Sequence, residues 1–329
     1  RSESFKKSST GKDNNIESLN KRPEDYEQGT MKNEEKKKEE EKKQERKKPE
    51  NIATTRAGGV YIPPWKMEKM MNEVKNKDKN SKEYQRYMWE NLRKSINGLI
   101  NKINVSNIQN IILELFNENL IRGRGLLCRS LFKAQMASPN FTHVYAALVA
   151  VINTKLPDVI KLLIARYIIQ FQKAYKRNNK LVCMASIKMI AHLVNQQVVH
   201  EVLALEILSL FLENPTEDSI EMAADFMIEW GQVLTDLTPQ GVIAVFERFK
   251  GILHEGECSR RVQYTIENLF NVRKSKFKNH QGVIPELDLI EEEDRITHEI
   301  SLTDNLDPEE KSNFFQYDPD YEKTEEDWA

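Results

Sequence analysis

The stretch Ser-Pro-Asn-Phe-Thr-His-Val-Tyr-Ala-Ala-Leu-Val-Ala-Val-Ile-Asn, Ser138–Asn153, decides the fold class. Phe141, Val144, Tyr145, Leu148, Val149 and Ile152 recur at three and four positions, the spacing of one helix face. Ser138 precedes them as an N-cap, with Pro139 at the first helical position. Outward from this stretch, from about residue 81 to 278, the same periodicity repeats and no alternating run asks to be a strand. Val199, Val202, Leu203, Ile207, Leu210 and Phe211 form a second stripe, widened by Leu205, Leu208 and Leu212. Ile220, Ala223, Ala224 and Met227 form a third, with Thr216 as its cap and Glu217 and Asp218 at the positive end of the helix dipole. Thr238-Pro239 opens the next helix.

First helices of pairs are expected near residues 83, 124, 156, 199 and 238, about 40 residues apart, the period of HEAT-like repeats. One pair cannot bury both of its apolar faces, and stacked neighbours can. The fold class is therefore all-α: a HEAT-repeat-like α-solenoid of about five antiparallel helix pairs. Residues 1–57 are rich in Lys, Glu, Asn and Ser and read as a disordered charged tail. The run EEKKKEEEKKQERKK at Glu34–Lys48 suits a solvated, transiently helical segment, or a basic tract for RNA or nuclear import. Residues 58–80, with Tyr61, Ile62, Pro63, Pro64 and Trp65, read as an extended docking segment. Residues 279–329 read as an acidic extension that wraps a surface. A short helix is expected at Asp307–Glu310, carrying Phe314 and Phe315.

The 329 residues carry a formal net charge of -2, but the charges fall in blocks, so the total says little about partners. Cys128, Cys183 and Cys258 lie far apart within helical patterns, which suits a reducing compartment rather than a disulfide framework. No apolar run is long enough to span a bilayer. The six histidines show neither HExxH nor zinc spacing and read as packing, capping or surface residues. No catalytic residue, metal, cofactor, small-molecule substrate or membrane is expected.

Two features remain for binding. Gly98, Asn101 and Lys102 fall opposite the stripe of Leu92, Ile96, Leu99 and Ile103, and a glycine there costs about 1 kcal/mol of helix stability. The second feature is basic: Arg122 and Arg124 in Arg122-Gly123-Arg124-Gly125, and Arg260 and Arg261 with Arg273, Lys274, Lys276 and Lys278 around the last repeat helix. The glycines suit a tight inter-repeat turn with positive φ; the arginines suit an acidic surface or an RNA backbone.

SINGLINKINVSNI at Ser95–Ile108, RGRGLLCRSLFKAQMASPNFTHVYAALVAVIN at Arg122–Asn153 and HEVLALEIL at His200–Leu208 resemble the nucampholin family of pre-mRNA-splicing factors. FERFKGILHEGE at Phe246–Glu257 and RVQYTIENLFNVRK at Arg261–Lys274 do so as well. SPxFTxVYAAL alone resembles a wider class, the middle domain of the initiation scaffold factor 4G. The resemblance implies a HEAT-repeat domain without catalytic activity, in the nucleus with the spliceosome and in nuclear speckles. It implies binding to the DEAD-box RNA helicase of the initiation-factor-4A type that becomes the exon junction core. The family holds that helicase open and inactive and delivers it to the spliceosome, with other spliceosomal proteins and RNA as partners. Its helicase contact carries over to Gly98, Asn101 and Lys102, and loosely to Glu291, Glu292, Glu293 and Asp294. The family's second helical domain, of the type called MA3, is not among these 329 residues. The alternative is an RNA-binding or translation and mRNA-decay scaffold of the same fold.

Overall fold

The computed structural model describes residues 63–74, 78–255 and 258–328. The expectations for residues 1–57, and for Tyr61 and Ile62, lie outside the described residues. What is described falls within one compact unit, Gly58–Ala329.

Five helix pairs follow in order. They are α2 (Lys82–Lys102) with α3 (Ile108–Phe116), α4 (Arg124–Ala137) with α5 (Thr142–Lys155), and α6 (Pro157–Lys176) with α7 (Lys180–Asn195). Then come α8 (Glu201–Glu213) with α9 (Glu217–Leu237) and α10 (Pro239–Glu255) with α11 (Arg260–Lys274). A short α1, Pro64–Val74, precedes them, and α12, Tyr321–Trp328, is the last described element. Each expected pair start falls within two residues of an observed one. The second helices stack in one row, α3 on α5, α5 on α7, α7 on α9 and α9 on α11. First helices form a second row, with α2 on α4 on α6, and α8 on α10. One apolar core runs between the rows, with Ile96, Leu131, Leu148, Phe171, Phe211, Trp230 and Phe249 all buried. Each such side chain contributes roughly 1.5–3 kcal/mol through burial.

Local signals explain most boundaries. The Thr216 side chain accepts from Ser219 N while the Ser219 hydroxyl accepts from Thr216 N, a reciprocal capping box that starts α9. The Asn179 and Ser259 side chains cap α7 and α11 in the simpler way. Ser138 departs from expectation. Its side chain makes no capping bond, Pro139–Phe141 forms a 3-10 turn, and α5 begins only at Thr142. Phe141 therefore leaves the apolar stripe and is exposed.

The extended segment expected at 58–80 is corrected by α1. Pro64 is its first residue, a position where a proline's missing N–H costs nothing. Met67 is buried, while Trp65 points to solvent rather than docking.

Residues 279–328 form a strap that returns along the solenoid. It starts at α9, where Gly282 N donates to Gln232 Oε1 at 3.0 Å. It then pairs with the turn after α7 in a single parallel bridge, Val199 with His298. Leu302 N donates to Glu206 Oε2 on α8, and Gln172 Nε2 on α6 donates to Leu302 O. It reaches α2 through Gln85, whose amide donates to Asp318 O at 2.6 Å and accepts from Asp318 N at 2.9 Å. Leu287, Ile300 and Tyr321 are its buried anchors. The helix expected at Asp307–Glu310 is a 3-10 turn, Glu310–Asn313, because Glu309 before it adopts a left-handed φ of 42°. The helix of this segment lies later, at α12.

Candidate functional site

The last turn of α2 presents Gly98, Asn101 and Lys102 away from the core. Leu92, Ile96, Leu99 and Ile103 are buried beneath it, as their spacing predicts. Asn101 and Lys102 are exposed. A methyl group added at Gly98 would meet nothing within 4 Å, so internal packing does not require the glycine. The turn is nevertheless fixed. Asn107 Nδ2 donates to Lys102 O at 2.9 Å, and Asn107 Oδ1 accepts from Asn104 N at 2.7 Å. The carbonyl end of α2 is thus held by one asparagine, and the cation of Lys102 sits where the helix dipole favours it.

Glu291, Glu292, Glu293 and Asp294 are exposed on the strap around a 3-10 turn. Arg295 closes that turn by donating to Asp288 Oδ1 and to Ile290 O. Their neighbours lie at the third and fourth pairs: Gln196 donates to Leu287 O and Thr297 to Gln197 O. The strap's hydrogen bonds to α2 among the described residues are at Gln85, sixteen residues and about 24 Å of helix before Asn101. Among the described residues, no hydrogen bond or ion pair joins the acidic turn to the Gly98–Lys102 turn.

The two arginine clusters are also separate, one at the first and second pairs and the other at the fifth. Arg122 lies over the Tyr321 ring at 4.3 Å and pairs with Glu325 at 3.3 Å. Arg124 pairs with Glu309 at 2.8 Å. The acidic surface these two meet is the chain's own strap. Arg260 is exposed, and Arg261 pairs with Glu221 across α9. The glycines beside these two arginines, Gly123 and Gly125, have a different purpose from the positive φ expected of them. Neither Gly123 nor Gly125 adopts a positive φ. A side chain on Gly125 would collide with the Ser312 backbone, and one on Gly123 would crowd Asn119 O and Ile96. Close approach of the strap, not turn geometry, requires Gly125.

Sequence reasoning missed the strap's fastenings. Arg166 donates to Pro308 O, Glu309 O, Ser312 Oγ and Asn313 Oδ1, at 2.8 to 3.0 Å. Asn153 Nδ2 donates to Ile296 O, and Asn153 Oδ1 lies 2.7 Å from His298 Nε2. Burial, and then the Lys161 cation, lower the His298 pKa, which suits a neutral ring at this seam. A lone arginine or asparagine in a helix pattern signals nothing locally; an interior polar position within an apolar stripe, as at Gln85 and Asn153, was the available clue.

Two histidines have structural partners, and two cysteines are buried. His200 caps α8 by accepting from Val202 N, and His192 Nε2 lies 3.2 Å from Glu229 Oε2. Burial pushes the Cys128 and Cys183 thiols up to about 12, so neither is a thiolate at neutral pH. Among the described residues, no group of three His, Cys, Asp or Glu side chains has the arrangement to hold a metal ion. None of their helices is long and apolar enough to cross a membrane.

Residues 93–276 match the MIF4G domain family. Pre-mRNA-splicing factor cwc22 of Aspergillus fumigatus is 54% identical over 277 residues, 84% of this chain and 31% of the relative. Pre-mRNA-splicing factor CWC22 homolog of Homo sapiens is 54% identical over 272 residues, 83% of this chain and 30% of the relative. Pre-mRNA-splicing factor cwf22 of Schizosaccharomyces pombe is 54% identical over 276 residues, 84% and 31% respectively. The chain thus spans about a third of the length of these curated relatives.

Proposed function

Because the chain belongs to the MIF4G domain family and resembles Cwc22 pre-mRNA-splicing factors along most of its length, we propose that it acts in pre-mRNA splicing in the nucleus. It does so as a non-enzymatic adaptor, one of the spliceosome's protein components. Its partner is a DEAD-box RNA helicase of the initiation-factor-4A type, the one that forms the exon junction core. The Gly98–Lys102 turn, with the acidic turn at Glu291–Asp294 as a second contact, grips the open arrangement of the helicase lobes. Inhibition is then the differential affinity for open over closed, and release hands the helicase to the spliceosome.

The observation that carries this reading is the last turn of α2. It is rigidly capped and exposed, and its Gly98 has open space around it, so a flat notch lies beside an amide and a cation. A partner surface explains a glycine that packing does not. The test is Asn101→Asp combined with Lys102→Glu. Helicase capture is expected to be lost while the thermal midpoint and helicity stay unchanged. Capture that survives the double reversal would place the interface elsewhere.

A further inference from the structure

The strap carries five Ser and Thr hydroxyls, and two of them differ from the rest. The Ser301 hydroxyl donates to Glu206 Oε1 on α8 at 2.7 Å. The Thr324 hydroxyl donates to Asp318 Oδ2 at 2.9 Å, a bond it shares with Tyr321 O. Thr297 and Ser312 donate instead to backbone carbonyls, and Thr303 shares a hydrogen bond with the Ser301 hydroxyl. The same two residues stand out in the sequence. Each has an aspartate three residues on, Asp304 after Ser301 and Asp327 after Thr324. Thr297, Thr303 and Ser312 have Ile300, Leu306 and Phe315 at that place. A hydroxyl bonded to a carboxylate and an acid three residues later need not go together, yet they coincide twice.

Both hydroxyls serve a fastening. Glu206 accepts from Ser301 with one oxygen and from Leu302 N with the other, so it holds the strap to α8 by two bonds. The backbone of Asp318 exchanges two bonds with the buried Gln85 side chain, and Thr324 holds the carboxylate of that same residue. Both are within reach of an enzyme. Thr324 is exposed, and Ser301 is half-buried in an irregular stretch. The helix that carries Thr324, α12, has eight residues, and so short a helix opens locally at little cost.

We propose that Ser301 and Thr324 are phosphorylation sites for a Ser/Thr kinase with a basic substrate groove, and that their modification unfastens the strap. Asp304 and Asp327, with Glu299 before Ser301 and Glu325 and Glu326 after Thr324, supply the charge pattern such a groove selects. The kinase joins the γ-phosphorus of ATP to the hydroxyl oxygen. The bond from that phosphorus to the β-phosphate oxygen breaks, ADP leaves, and the hydroxyl proton passes to the kinase's own carboxylate. The product has no proton to donate. A charge of about −1.5 to −2 then faces the carboxylate that used to accept, and repulsion replaces a hydrogen bond. At Glu206 the two bonds come from an uncharged hydroxyl and an uncharged N–H. Arg122 and Arg124 share a cavity with Thr324, but they already pair with Glu325 and Glu309. The proposal concerns the strap and does not rest on the helicase reading.

The test treats the full chain with ATP and a recombinant Ser/Thr kinase of acidic specificity, and tandem mass spectrometry places the phosphates. Ser301 and Thr324 are expected to carry them. Asp304→Asn with Asp327→Asn should lower labelling at both by about tenfold or more. Asparagine keeps an oxygen for the Ser301 N–H that Asp304 accepts, so the turn survives the loss of charge. Hydrogen exchange then reads the consequence. In the phosphorylated chain the Leu302 and Asp318 amides should exchange about tenfold faster or more, while those of α7 and α9 stay unchanged. Glu206→Gln removes the charge opposite Ser301, and in that variant phosphorylation should change Leu302 exchange little. A residue that takes no phosphate is removed as a latch, and failure at both overturns the proposal. Unchanged exchange in a chain phosphorylated at both overturns it as well. Slower exchange at Asp318 would mean that Arg122 and Arg124 grip the phosphate, and would overturn release at that latch.

Discussion

Two glycines show how a residue without a side chain can serve opposite ends. Gly125 is required by the fold, because Ser312 of the strap occupies the space a methyl group would need. Gly98 is not, because that space is open. Gly125→Ala is expected to destabilise by about 1–3 kcal/mol through overpacking. Gly98→Ala is expected to stabilise by roughly 0.5–1 kcal/mol through helix propensity while weakening helicase capture. Urea melts read the first pair of effects, and pull-down reads the last. The sequence displayed both glycines but only one of their reasons. Gly98 sat visibly on a polar face; Gly125 owes its identity to a residue 187 positions later, which no local pattern reveals.

At the scale of elements, α7 and α9 are pinned by one carboxylate. Glu229 Oε1 lies 2.6 Å from Lys188 Nζ, and its other oxygen 3.2 Å from His192 Nε2. Burial alone would raise the Glu229 pKa, but hydrogen bonds from His192 and Lys188 outweigh it and hold the value at about 2. A carboxylate depressed on folding contributes stability that is present above its ordinary pKa of 4.5 and is lost as pH falls toward 2. Glu229→Gln should therefore cost on the order of 1–3 kcal/mol at pH 7, and the gap to the parent should shrink between about pH 4.5 and 2. Denaturant midpoints at pH 7 and pH 3 check this; a gap of equal size at both would remove the carboxylate as its source. The pair itself was legible, since apolar periodicity placed all five pairs to within two residues of their starts. α1 was not, because adjacent prolines argue for extended chain unless the second one begins a helix. α12 was hidden for another reason: its few apolar side chains, Tyr321 and Trp328, stand among acids and match no long stripe.

At the scale of the whole molecule, the strap changes what kind of solenoid this is. Stacked repeats ordinarily touch only their neighbours, so their stability is a sum of local terms. Here residues 279–328 tie the last pair to the first, and Gln85 bonds a backbone 233 positions away. That closure is expected to make the array unfold as one body. Arg166→Ala, which removes four donors to strap oxygens, should unfasten its middle and broaden the urea transition. Helicity and tryptophan fluorescence should then report different midpoints where the parent shows one. Coincident transitions in the variant would show that the pairs cooperate without the strap. The path of the strap was the least legible part of the molecule. It is held by backbone carbonyls and single polar side chains, Gln85, Asn153 and Arg166, rather than by a repeating pattern. Its composition announced only that it would lie on a surface.

The same long-range closure sets a clock on the ribosome. Gln85 emerges early, but the Asp318 backbone that satisfies its amide is made 233 residues later. At about 5–20 residues per second, that interval is roughly 10–50 s. Until then the nascent α2 holds an unfilled seam, and Gly125 and, on α6, Arg166 wait shorter times for the same strap. The first repeats are thus expected to emerge in an open state, and maturation of the domain to wait for the strap.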